Sequence, residues 1–200
     1  MKIFKTIPLY AMIIIPVDNK DNFLDLKYKK LKPNTVEITE QVKVSVKETA
    51  SPLFYKIDPP QTFKEVEIEG SVRIIKKLTS EEKDSYFQLG VVYEGDYRPG
   101  SFVRSFLPEW LLKILDINDK YGVGFIDFNH FSNNNTQMDK EDSVRDIKMK
   151  FKTVGTIDEN GVFSSTFKLR NKKILGLWLR ADGDDHQGEF QTTIKKLVLK

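Results

Sequence analysis

The 200-residue chain contains no cysteine. That one absence excludes a disulfide framework, a thiolate zinc site and a cysteine nucleophile. It leaves the compartment open, since a cysteine-free chain is at home inside or outside the cytosol. Histidine is nearly as scarce, with only His130 and His186. A hydrolytic relay needs a nucleophile, a base and an orienting group in contact. No G-x-S-x-G elbow, H-E-x-x-H pair or phosphate-cradling glycine loop is present to build one. An excess of one charge is also missing. Lys plus Arg number 32 and Asp plus Glu 29, a net +3, and the bases alternate with acids. A nucleic-acid binder gathers its bases on one face, so nucleic acid is not an expected partner. No apolar run is long enough for a transmembrane helix.

What is present is a substantial core. Forty per cent of the residues are hydrophobic and fourteen are Phe, which argues against disorder. A chain of this length suits one all-β domain and needs no metal or disulfide to hold it. The N-terminus carries a targeting signal of sorts. Lys2 and Lys5 precede an apolar run from Ile7 to Val17, a length that matches a secretory signal peptide. Pro8 and Pro16 interrupt the run, and no small-x-small cleavage site precedes Asp18. The segment 1–20 therefore reads as signal-peptide-like or as a first strand, and 21–200 as a single sandwich domain. Export to the periplasm or medium is the expectation, with a cytoplasmic location as the alternative.

Alternation with a period of two recurs from about residue 36 onward and marks strands. Val42, Val44 and Val46 alternate with polar residues. So do Val66, Ile68, Val72 and Ile74 around Gly70, and Ile147, Met149 and Phe151. Such segments are half-buried, with one wet face. The segments 87–93, 123–128 and 174–179 are apolar almost throughout and read as central strands covered on both faces. Turn signals fall at Asp58-Pro59-Pro60, Glu94-Gly95-Asp96, Asn160-Gly161 and Asp182-Gly183. Asn160-Gly161 is the strongest hairpin signal, and 129–142 reads as a polar surface loop. About ten strands without intervening helical patterns predict an all-β, two-sheet antiparallel sandwich of jelly-roll type. One segment departs from this. Residues 108–116, P-E-W-L-L-K-I-L-D, predict a short inserted amphipathic helix. Its stripe, 106–115, holds Phe106, Leu107, Trp110, Leu111, Ile114 and Leu115.

The tail, I-L-G-L-W-L-R-A-D-G-D-D-H-Q-G-E-F, runs from a buried strand into Asp182, Asp184 and Asp185. Clustered carboxylates of this kind could hold a hard cation such as calcium, although the spacing is not that of an EF-hand. The other reading is a solvated Asp-Gly turn whose acids satisfy backbone amides. No other cofactor is expected. This tail resembles the end of an exported bacterial family of unknown function. The segment A-S-P-L-F-Y-K-I-D-P-P with the strand at 66–74 is similar to that family's early strand pair. The resemblance implies export and a sandwich like the galactose-binding and carbohydrate-binding jelly rolls. It implies no activity, and the helix at 108–116 departs from the pattern.

Aromatic and polar residues near the helix supply candidate ligand contacts, because sugar rings stack on aromatic faces. These are Tyr93, Tyr97, Trp110 and Tyr121, with Asp96 and Arg98 as polar partners. Trp178 reads as core. Three functions stand open. The first is a non-catalytic exported sandwich that binds a carbohydrate-like ligand or a cell-envelope partner. The second is a hydrolase using carboxylates on the sandwich face. The third is a structural or interaction protein docking through the 106–115 stripe. An aromatic platform favours the first, convergent acids in a pocket the second, and an exposed stripe the third.

Overall fold

The computed structural model describes residues 12–133 and 137–200. The run from Lys2 to Ala11 and Asn134 and Asn135 of the expected loop lie outside these. Among the described residues thirteen strands form two sheets packed face to face, as the alternation predicts. In chain order they are β1 (Ile13–Ile14), β2 (Phe23–Asp25), β3 (Thr35–Ile38), β4 (Val42–Lys47), β5 (Leu53–Thr62), β6 (Glu65–Lys76) and β7 (Ser85–Gly95). Two helices follow, α1 (Ser101–Arg104) and α2 (Glu109–Ile117). The chain then forms β8 (Gly122–Ser132), β9 (Asp139–Val144), β10 (Ile147–Thr156), β11 (Val162–Lys168), β12 (Lys173–Asp182) and β13 (Glu189–Leu199).

One sheet runs β11-β6-β13-β4-β3, with β1 also paired to β13. The other runs β2-β5-β12-β7-β8-β10-β9. Alternate residues of β4, β6 and β13 (Val42, Val44, Ile68, Phe190, Ile194) meet Leu89, Val91, Phe131, Leu177 and Leu179 between the sheets. Ile15 and Val17 join this core, and Ile13 pairs with Leu199, so the end of the N-terminal apolar run is part of the sandwich. Pairing is antiparallel except between β8 and β10. After β8 the chain builds the edge strand β9 first, then turns back through β10 into the gap between them. Among the described residues no helix is long and apolar enough to cross a membrane.

Three local expectations need correction. Asp58-Pro59-Pro60 is no turn; it lies within β5, across an irregularity in the pairing with β12. The short β2 pairs only with residues 53–55, so beyond Tyr55 one side of β5 is a free edge, where proline costs no ladder bond. Asn160-Gly161 does reverse the chain. Gly161 has φ +76°, and the Asp158 carboxylate accepts the N–H groups of Asn160 and Val162. Yet β10 and β11 do not form a hairpin. β11 crosses to the other sheet and pairs with β6, carrying Phe163 into the core between the sheets. The region 129–142 is less irregular than expected, since β8 runs to Ser132 and β9 starts at Asp139.

The expected helix forms as α2, with Pro108 as its N-cap residue. It lies on the outer face of the seven-stranded sheet, where Leu107, Leu111, Ile114 and Leu115 pack with Val92, Val123, Ile126, Met149 and Leu175. The stripe is narrower than 106–115, because Phe106 is 65% exposed and meets the still more exposed Phe102 edge-on. Leu111→Ala should therefore cost about 2–5 kcal/mol in urea melts, as for other emptied core positions. Phe106→Ala should stay within about 0.5 kcal/mol. Equal losses would place the helix wrongly.

Candidate functional site

Because antiparallel neighbours share a face, the register of the seven-stranded sheet lines up one row across its outer side. Phe54 stands opposite Trp178, Trp178 opposite Gly90, Gly90 opposite Phe128, and Phe128 opposite Phe151. Gly90 is the gap that lets the flanking rings meet. A Cβ there would lie 3.0 Å from Trp178 Cβ and 3.3 Å from the Phe128 ring. In its absence Phe128 meets Trp178 edge-on at 5.5 Å and stacks on Phe151 at 4.8 Å. Trp110, from the first turn of α2, lies against Trp178 at 5.5 Å, and Lys140 sits over Phe151.

This row emerges beside α2 as the floor of a cleft of about 560 Å³. Trp110 and Phe151 are half-buried there, while Phe128 and Trp178 are nearly covered. The remaining lining is mixed: Leu31, Ala50, Val144 and Met149 are apolar, and Tyr28, Glu109, Arg180, Asp182, Asp184 and Asp185 supply polar and charged groups. Glu109 accepts the backbone N–H of Lys29 at 3.2 Å, tying the 26–33 segment to the start of α2. Arg180 holds Asp182 through Nε at 2.7 Å and through Nη2. It also donates to the Lys83 carbonyl at 3.0 Å. Burial pushes the Tyr28 phenol up, so it stays protonated as a donor.

The acidic turn is more deeply set than a solvated loop. The carboxylate oxygens of Asp84, Asp182 and Asp184 lie within 4.8 Å of one another. Asp84, just before β7, takes the N–H of His186 at 2.6 Å and that of Asp185 at 3.4 Å, capping the turn. Asp184 is pushed up to about 7, by burial first and then by the Asp182 carboxylate beside it. Burial likewise raises Asp84, against the N–H bond from His186.

The sequence-predicted ligand residues are not brought together. Trp110 lines the cleft. Tyr97, Arg98 and Tyr121 border a separate depression with Arg104 and Asp116, and Asp96 is an exposed loop residue. Tyr93 is a correction: it is wholly buried between the sheets, and its hydroxyl accepts the Arg170 N–H. Its strand is covered on both faces, so no side chain in its middle reaches solvent. In the acidic cluster Asp84 stands where Asp185 was expected; Asp185 is exposed at the cleft rim. Phe128, Phe151, Arg180, Glu109, Tyr28 and Asp84 escaped the sequence reading. The alternation around Phe151 marks its face, but nothing local says which strands stand beside it.

No protein-family model matches this chain, and no curated protein matches it. The resemblance of the tail and of the 50–60 segment to an exported family thus has no matching model behind it. Among solved structures, the chain is similar to the xyloglucanase domain of NopAA, a type three effector from Sinorhizobium fredii, in complex with cellobiose. The TM-score is 0.45 at 8% identity, with 96% of this chain and 98% of that one covered.

The two histidines do not face the cleft. His130 is buried on β8, its Nε2 3.0 Å from a Glu81 oxygen, and Glu81 also accepts the Asn133 N–H. His186 Nδ1 pairs with the Thr79 hydroxyl. Glu81→Ala strands buried donors and should cost about 1–3 kcal/mol in denaturant melts. The exposed neighbour Glu82→Ala should change stability by no more than about 0.5 kcal/mol.

Proposed function

We propose that this protein is a non-catalytic sandwich that binds a carbohydrate-like ligand in the cleft beside α2. The observation that carries the reading is the row Trp110, Trp178, Phe128 and Phe151, walled by Tyr28, Glu109, Arg180 and the acidic turn. A sugar ring has apolar faces and a hydroxyl rim. Aromatic surface covers the one, and fixed charges and donors satisfy the other. The members of the row that reach solvent are Trp110 and Phe151, on either side of the nearly covered Trp178 and Phe128. The cleft volume is in the range of small-ligand sites, about 300–1,000 Å³.

The cluster at Asp182 does not favour a hydrolase. Asp182 is already taken by Arg180, and Asp84 by backbone N–H groups of the turn, so neither is free to act as nucleophile or base.

A polysaccharide array followed by titration calorimetry tests the reading. The parent should retain at least one soluble polysaccharide or oligosaccharide. Trp110→Ala should weaken that binding about tenfold or more, the loss typical of truncating an aromatic anchor. Arg98→Ala, in the other depression, should leave it unchanged. Silence across the array, or full binding by the Trp110 variant, refutes carbohydrate recognition in this cleft.

A further inference from the structure

We propose that Asp84, Asp182 and Asp184, with the Ser85 hydroxyl, form a site for a hard divalent cation, calcium by size. Acids cluster on many protein surfaces, and proximity alone would carry nothing. The added facts are two buried oxygens with nothing to bond. Asp182 is 4% exposed, and while its Oδ2 is held by Arg180, its Oδ1 has no hydrogen-bond partner. Ser85 is 2% exposed, and its Oγ has none either. Ser85 is the residue directly opposite Asp182 on the neighbouring strand, so both side chains stand on one face. Buried polar atoms almost always find a partner, and each orphan calls for an explanation. Two such residues, paired across the ladder, one of them within the acidic cluster, have an economical one in a shared cation.

The spacing fits. Calcium binds oxygen at about 2.3–2.6 Å, so two of its ligands can stand no more than about 5 Å apart. The three carboxylates satisfy that limit at 4.8 Å. Charge fits as well. Four acids, Asp84, Asp182, Asp184 and Asp185, crowd this corner, and Arg180 is the cation that pairs with Asp182. A divalent ion would relieve the repulsion that burial leaves unscreened. It would also tie the start of β7 to the end of β12 and fix the 184–187 turn, whose residues Asp184 and Asp185 edge the cleft. The inference does not depend on what the cleft binds.

The test uses the whole chain, stripped with a chelator and melted against rising calcium, with sodium chloride of matched ionic strength as the control. Binding restricted to the folded state raises the melting temperature once calcium exceeds its dissociation constant. A shift should appear by about 5 mM calcium, above the dissociation constants of weak extracellular sites at about 0.1–1 mM, and calorimetry should give one ion per chain. Asp184→Asn, at a half-exposed position, should keep the near-ultraviolet spectrum of the folded parent and lose the calcium response. Asp182→Asn is the weaker probe, because it also unpairs Arg180. No shift in the parent, an equal shift with sodium chloride, or an undiminished calcium response in Asp184→Asn overturns the site.

Discussion

The seven-stranded sheet must be covered on both faces, and most of the structure answers to that constraint. Its central strands β12, β7 and β8 are apolar nearly throughout and alternate between two clusters. One set of side chains fills the space between the sheets. The other faces outward and would be wet without a second cover. α2 is that cover, but it is short. Nine residues make about 13 Å of helix, whereas seven strands span nearly 30 Å. The helix lies over Val92, Ile126 and Leu175 and ends its protection at Trp110. Beyond Trp110 it gives no cover, so the half-buried Phe151 side of the aromatic row opens into the cleft, which is a consequence of an incomplete lid and not a separate feature.

The polar wall follows from the same geometry. Past Trp178, β12 runs out from under the helix, and its outward positions change from Trp178 to Arg180 and then Asp182. Arg180 spans strands there, reaching Asp182, Gln88 on β7 and the Lys83 carbonyl. A guanidinium with several planar donors can stay half-buried in this way where an ammonium could not. Asp182 cannot be traded for an apolar residue without stranding Arg180, since a buried charge that loses its partner is costly. The end of β12 is thereby committed to charge at the margin of the aromatic floor.

Much of this was legible in the sequence, and the boundary has a physical cause. Alternation identifies a strand and its faces, so β4, β6 and β10 were readable, and the apolar runs at 87–93, 123–128 and 174–179 do occupy the centre of a sheet. The helix at 108–116 was readable from its opening Pro-Glu and its stripe. Pairing was not. Asn160-Gly161 fixes a reversal, but which edge β11 joins depends on the unpaired side of β6, far away in sequence. The prolines of β5 look like a turn until the shortness of β2 reveals a free edge. The site suffers most from this limit. Phe128 and Phe151 touch only because β10 enters the sheet parallel to β8. Asp84 reaches Asp182 only because β7 and β12 are neighbours. Candidates chosen for being close in sequence to the helix, such as Tyr97 and Tyr121, fell into a different depression.

The chemistry of the cleft narrows what could occupy it. A wholly apolar ligand would bury Glu109, Arg180 and Asp184 against hydrocarbon and remove the water that now solvates them, an unfavourable exchange without new partners. A strongly anionic ligand would meet Arg180 but also the acids beside it. A neutral ring with apolar faces and a hydroxyl edge satisfies both halves. It can lie against Trp110 while its hydroxyls donate to carboxylates and accept from Arg180 and Tyr28. Hydroxyls are suited to such a mixed wall because each both donates and accepts. The carboxylates would then be specificity groups, set in place by Arg180 and the capped turn before any ligand arrives. Pre-set groups spare the ordering cost that loose side chains would impose on binding.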